Sequence, residues 1–140
     1  DNIVPDYAEA TFDIRVTPGV DIRIVEHQMF TLLNGFKAEG VEVETVGMEG
    51  GYYERIDSTF ARSLMRAVEL ATGTKPLPKI LLGTTEGRYL ERLAGVPSLG
   101  FGAGIEGMAH MTDEYVPIEN LVMAAEVYTI FPIIYKEIEP

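Results

Sequence analysis

The hydrophobic period changes once near the start of the chain, and that change limits the fold more than any other feature. In residues 7–17, Ala8, Ala10, Phe12, Ile14 and Val16 fall on one side, and Glu9, Thr11, Asp13 and Arg15 on the other. Period two with one polar side predicts a half-buried strand of an antiparallel sheet. Pro18-Gly19 stops it. From residue 20 to 38 the steps lengthen to three and four, through Ile22, Val25, Met29, Leu32, Leu33 and Phe36. That is one face of an amphipathic helix, and Gly40 is placed to end it. A second short strand is expected at Val41–Val46, so residues 1–47 read as strand–helix–strand.

Gly47-Met48-Glu49-Gly50-Gly51 is the expected domain boundary, dividing the chain into 1–47 and 48–140. Beyond it, Asp57 or Ser58 is placed to cap a helix carrying Ala61, Leu64, Met65, Val68 and Ala71, which Gly73 stops. Lys79-Ile80-Leu81-Leu82 predicts a short buried strand. Thr84 or Thr85 can cap a helix over Arg88–Ala94, and Val96–Phe101 is another strand candidate. After a loop from Gly102 to Val116, Pro117 suits the first turn of a last helix. Its expected face is Ile118, Leu121, Val122, Ala125 and Tyr128, and Pro132 should kink or end it. Alternating helix and strand predicts an α/β layer with helices over the strands.

Composition narrows the class. The chain is 46% hydrophobic and 24% charged, the balance of a soluble globular protein. A net charge of −11 without an acidic block repels phosphate backbones, so nucleic acid is not an expected partner. No basic run suggests a membrane surface, and the apolar stretches read as too short to span a bilayer. The absence of cysteine removes disulfides, thiolate metal sites and thiol nucleophiles, and it fits the cytoplasm. The start, Asp1-Asn2-Ile3-Val4-Pro5, lacks a signal-peptide pattern and an initiator methionine, so the chain is expected to begin inside a longer protein.

Few residues offer chemistry. His27 lies in the first helix between Glu26 and Gln28 and reads as a solvated surface residue. His110 sits in a glycine-rich loop after an apolar segment, where α/β proteins place sites. A metal-bound imidazole needs an acceptor to fix its tautomer, and Asp113 or Glu114 is close enough in sequence to serve. The plainer alternative is a loop histidine bonded to backbone or water. Gly83-Thr84-Thr85-Glu86-Gly87-Arg88 opens a helix, either as ordinary capping or as a cradle of N–H donors for an anion. Arg15 either pairs with Asp13 or offers its fork to a substrate carboxylate.

Three segments in order resemble one family. Asn2-Ile3-Val4-Pro5, Phe12-Asp13-Ile14-Arg15 and Pro18-Gly19 resemble the "N-x-x-P … D-x-R … P-G" run in the lid domain of zinc-dependent aminoacylases and carboxypeptidases, the succinyl-diaminopimelate desuccinylase and acetylornithine deacetylase type. Gly83-Thr84-Thr85-Glu86-Gly87-Arg88 is similar to that family's "G-T-[ST]-D-[AG]-R". The run from Gly102 to Val116 is similar to "G-P-G-x-x-x-x-A-H-x-x-[DN]-E-x-V", and Ile118-Glu119-Asn120-Leu121 matches the start of its last helix.

The resemblance implies a fold, a reaction and a site. Residues 1–47 would close an α+β lid that serves dimerisation, and 48–140 would end a catalytic α/β domain. The implied reaction is hydrolysis of the amide of an N-acyl amino acid or short peptide by water activated on two zinc or cobalt ions. His110 corresponds to a metal ligand, Asn2 and Arg15 to substrate contacts, and Gly83 to the wall of the substrate pocket.

The departures are equally specific. Glu86 stands where aspartate is usual, and Ala103 where proline is usual. The family's other ligands are missing: there is no H-x-D, no adjacent Glu-Glu to supply the general base, and no second histidine in a suitable loop. The lid histidine that stabilises the oxyanion normally precedes this segment. The chain alone is therefore expected to be inactive, to hold no metal, and to associate with itself or with the missing half to cover its open sheet edges. The alternative is a non-catalytic binding or dimerisation module on the same scaffold.

Overall fold

The computed structural model describes residues 4–36, 40–81, 83 and 85–138. Among them are four helices, α1 (Ile22–Asn34), α2 (Thr59–Thr72), α3 (Gly87–Ala94) and α4 (Ile118–Ile138), in two compact units, Asp1–Gly51 and Tyr52–Pro140.

In the first unit, the Pro18-Gly19 stop is a turn. The Val20 N–H donates to the Thr17 carbonyl at 3.3 Å, with Gly19 at φ 92°. Proline second and a left-handed glycine third is the type II pattern. Asp21 then caps α1, its carboxylate accepting from the Arg23 N–H at 3.0 Å. The helix stops at Gly35 and not at Gly40, as the sequence suggested. His27 is exposed, as expected. The Thr45 hydroxyl donates to Glu26 at 3.0 Å and ties the segment after the helix back to it.

The expected strands do not form among the described residues. Segments 7–17, 41–46, 79–81 and 96–101 carry no ladder, while Leu82 lies outside the described residues. Phe12 is 72% exposed and Ile80 86%, so the apolar faces meant for a sheet meet solvent. The reason is cooperative. A strand's N–H and C=O groups need a neighbouring strand, and its apolar face needs a layer to press on. The alternation specifies which face would be buried but supplies neither partner.

The second unit has a core where α2 packs on α4. Ser58 is the N-cap of α2, its Oγ accepting from the Ala61 N–H at 3.1 Å, and Gly73 ends the helix at φ 69°. Ala67, Val68, Val127 and Ile134 are buried together, with Leu64, Ala71, Phe101, Met123, Ile130 and Phe131 packed around them. Phe60 meets Phe131 edge-on at 5.2 Å and Tyr135 at 5.7 Å, and each such pair adds about 1 kcal/mol beyond its buried area.

The expected buried face of α4 is overturned. Its buried face is Ala124, Val127 and Ile134, whereas Ile118, Leu121, Val122 and Tyr128 are all at least half exposed. The helix is apolar nearly all round, so periodicity alone could not choose the face; α2 does. Pro132 lies inside the helix without ending it. The apolar run is also longer than the sequence suggested. Ile118–Glu137 is long and apolar enough to cross a membrane, with a mean hydropathy of 1.3, although the packing it shows is against α2.

Candidate functional site

The loop that carries His110 is a chain of three turns. The Met108 N–H donates to the Ile105 carbonyl, Met111 to Met108, and Glu114 to Met111, at 3.1–3.2 Å. The third residue of each turn is left-handed: Gly107 at φ 82°, His110 at φ 65° and Asp113 at φ 58°. Glycine enters that region freely, whereas a side chain at such a position costs about 1–2 kcal/mol, less for aspartate. His110 and Asp113 are the two non-glycine residues with positive φ among those described, and they lie three apart in one loop. Strain of this kind collects where a side chain is held for a purpose.

Four contacts fix the loop. The Tyr128 hydroxyl donates to the Phe101 carbonyl at 2.5 Å, and the Asn120 amide donates to the Ala103 carbonyl at 3.1 Å, so α4 holds the near end. Lys79 pairs with Glu106 at 2.5 Å. The Glu114 carboxylate accepts from the His110 backbone N–H at 3.0 Å. The sequence offered Asp113 or Glu114 as a partner for the imidazole; Glu114 holds the main chain instead. His110 is exposed.

The hydrogen bond from Lys79, reinforced by its charge, holds the Glu106 carboxyl below its ordinary 4.5. A depressed carboxylate stabilises the folded state above its ordinary value, and that contribution is lost as pH falls through the lowered one. The tie is therefore expected to be intact at neutral pH and to fail on acidification below 4.5. Glu106→Gln should remove the loss of amide protection on acidification, beyond the intrinsic pH dependence of exchange, in residues 103–108. An unchanged acid profile in that variant would show that the pair does not hold the loop.

The second motif is organised around a hydroxyl pair. Tyr52 Oη and Thr85 Oγ1 lie 2.7 Å apart. Thr85 therefore does not cap α3; Glu86 occupies that position with no side-chain cap bond, and Thr84 lies outside the described residues. Gly87 packs under Tyr52 and Ser98 so closely that an added Cβ would lie 2.7 Å from Tyr52 Cζ and 3.1 Å from Ser98 Cβ. Arg88 is half-buried and not simply a surface charge, with its guanidinium 4.6 Å from the Tyr89 ring centre and a 2.8 Å bond to the Tyr89 hydroxyl. Gly83 is exposed at a bend, where a Cβ would meet nothing nearer than Leu81 Cγ at 3.9 Å.

In the first unit, Arg15 turns its fork onto Asp13, with Nε and Nη2 at 2.9 and 2.5 Å from Oδ2. Both side chains are more than half exposed, so the pair contributes little to stability. Asn2 lies outside the described residues. The contacts of Tyr52, Lys79, Glu106, Asn120 and Tyr128 escaped the sequence reading, because each acts on a partner 17 to 33 positions away with no spacing rule to announce it.

No group of three or more histidine, cysteine, aspartate or glutamate side chains among the described residues is placed to hold a metal ion. A catalytic zinc takes about three protein ligands and a water. His110 supplies one imidazole, so this chain's described residues do not fit a complete zinc site, and no chemical step can be built on them alone.

The chain belongs to peptidase family M20/M25/M40, whose model matches residues 2–132. It is 29% identical over 128 residues to succinyl-diaminopimelate desuccinylase of Corynebacterium glutamicum, covering 90% of this chain and 32% of that protein. It is 24% identical over 125 residues to a putative succinyl-diaminopimelate desuccinylase of Mycobacterium tuberculosis, covering 89% and 32%. An uncharacterized metallohydrolase of Methanococcus maripaludis is 27% identical over 143 residues, covering 91% and 34%. The chain thus spans about a third of the length of the relatives it matches. No solved structure matches it.

Proposed function

We propose that this chain is the C-terminal portion of a zinc-dependent amidohydrolase of the cytoplasm, one that hydrolyses N-acyl amides of amino acids or short peptides. The observation that carries the reading is the family match, which spans the His110 loop, together with the left-handed, hydrogen-bonded turn that holds His110 there. In this reading His110 is one metal ligand. Gly83 lines the substrate pocket, and Asn2 and Arg15 contact substrate. Residues 1–47 end the lid, and 48–140 end the catalytic domain. The names of the desuccinylase relatives support a carboxylate-bearing substrate, which an arginine fork would recognise. Zinc, when held by the complete ligand set, would supply a Lewis acid and an activated water. The exposed apolar side chains Phe12, Ile80, Leu81 and Ile118 support association with the rest of the hydrolase or with a second copy.

The chain by itself is expected to bind zinc weakly and to hydrolyse no N-acyl amino acid, because one imidazole is a poor site. Calorimetric zinc titration and an assay on N-succinyl and N-acetyl amino acids, run on the chain and on the longer protein, test this. Turnover or tight stoichiometric zinc in the chain alone would overturn its inactivity. The second reading, a non-catalytic module, draws on Glu86 in the place of aspartate. It predicts no turnover in the longer protein either.

A further inference from the structure

We infer that Glu114 is a positioning residue for His110, acting through the main chain and not on the imidazole. Its Oε2 accepts from the His110 N–H at 3.0 Å. That N–H belongs to the left-handed third residue of a turn whose closing bond, from the Met111 N–H to the Met108 carbonyl, spans 3.1 Å. The next turn closes from Glu114's own N–H to the Met111 carbonyl at 3.2 Å, with Asp113 left-handed inside it. Glu114 is therefore held at one end by its backbone and grips His110 at the other by its side chain. The two bonds close a ring over residues 110–114.

The ring has a physical job. A histidine at φ 65° relaxes to negative φ unless something opposes it, and relaxation would swing its Cβ, and with it the imidazole, to another direction. A carboxylate on the N–H is a charge-assisted bond, stronger than a neutral one. The glutamate four residues on reaches the N–H with both turns closed. The carboxylate thus couples the backbone of residue 113 to the direction of side chain 110. Where His110 is a ligand, a misdirected imidazole weakens the metal without any ligand being removed, the behaviour of outer partners at metal sites.

The inference rests on the proposed metal role of His110, and its test separates the two. In the 15N-labelled chain, Glu114→Ala should speed exchange of the His110 amide by about tenfold and move its resonance, while Glu114→Gln, which keeps an acceptor oxygen, should restore most of both. Exchange unchanged in Glu114→Ala would overturn the inference whatever His110 binds. In the longer hydrolase, Glu114→Ala should lower zinc occupancy and kcat by about 10–100-fold at unchanged KM, with recovery in Glu114→Gln. Equal loss in the alanine and glutamine variants would also overturn it. Failure of the metal reading looks different: His110→Asn would leave zinc content intact while the amide exchange result for Glu114 still stood.

Discussion

If the proposed full-length hydrolase is the parent, replacing His110 by asparagine in it is expected to cost more than 100-fold in hydrolysis and most of one metal equivalent, with little change in stability. The threshold follows from partners of metal ligands, whose loss costs about 10–100-fold; removing a ligand should exceed that. Asparagine is the right probe because of the backbone. His110 sits at φ 65°, a region asparagine tolerates. Alanine there would add about 1 kcal/mol of strain and mix a folding defect with a chemical one. The side chain is exposed, so its removal opens no cavity. Metal analysis and kcat/KM, measured beside a thermal melt, read the outcome. Full activity with full metal would remove His110 from the site.

The second large effect is structural. Gly87→Ala is expected to destabilise the second unit by about 1–3 kcal/mol, the usual cost of overpacking. The new methyl would lie 2.7 Å from Tyr52 Cζ, 2.8 Å from its hydroxyl oxygen and 3.1 Å from Ser98 Cβ. Ser98 is 7% exposed and cannot retreat into solvent. Tyr52 can move only by giving up its 2.7 Å bond to Thr85, which loosens the start of α3 and the Gly83 bend before it. The glycine is thus required for space and not for an unusual torsion. Denaturant melts of Gly87→Ala with and without Tyr52→Ala separate the terms, since removing the ring should make the alanine tolerable. A single variant within about 0.5 kcal/mol of the parent chain would mean that the ring swings aside at no cost.

Local physics was legible in the sequence wherever it sufficed. Ser58 and Gly73 bracket α2, and Pro18-Gly19 makes its turn, because caps and turns depend on neighbours within four residues. The order of the motifs also sufficed to indicate the family. The site was legible as types and not as contacts. His110 was visible as a candidate with Asp113 or Glu114 offered for its imidazole, but sequence spacing does not say which donor a carboxylate meets, and the Glu114 carboxylate meets the His110 main-chain N–H.

What the sequence by itself determined is therefore the existence and order of the helices, the caps of α2 and the family. The tertiary structure decided the rest. It chose Ala124, Val127 and Ile134 as the buried face of an α4 apolar nearly all round, because only α2 breaks that symmetry. It left the alternating segments without ladders, because a strand is a property of two segments and the pattern of one cannot supply the other. And it set His110 in a left-handed turn gripped by Glu114, a conformation that a glycine-rich loop permits but only the closed hydrogen bonds select.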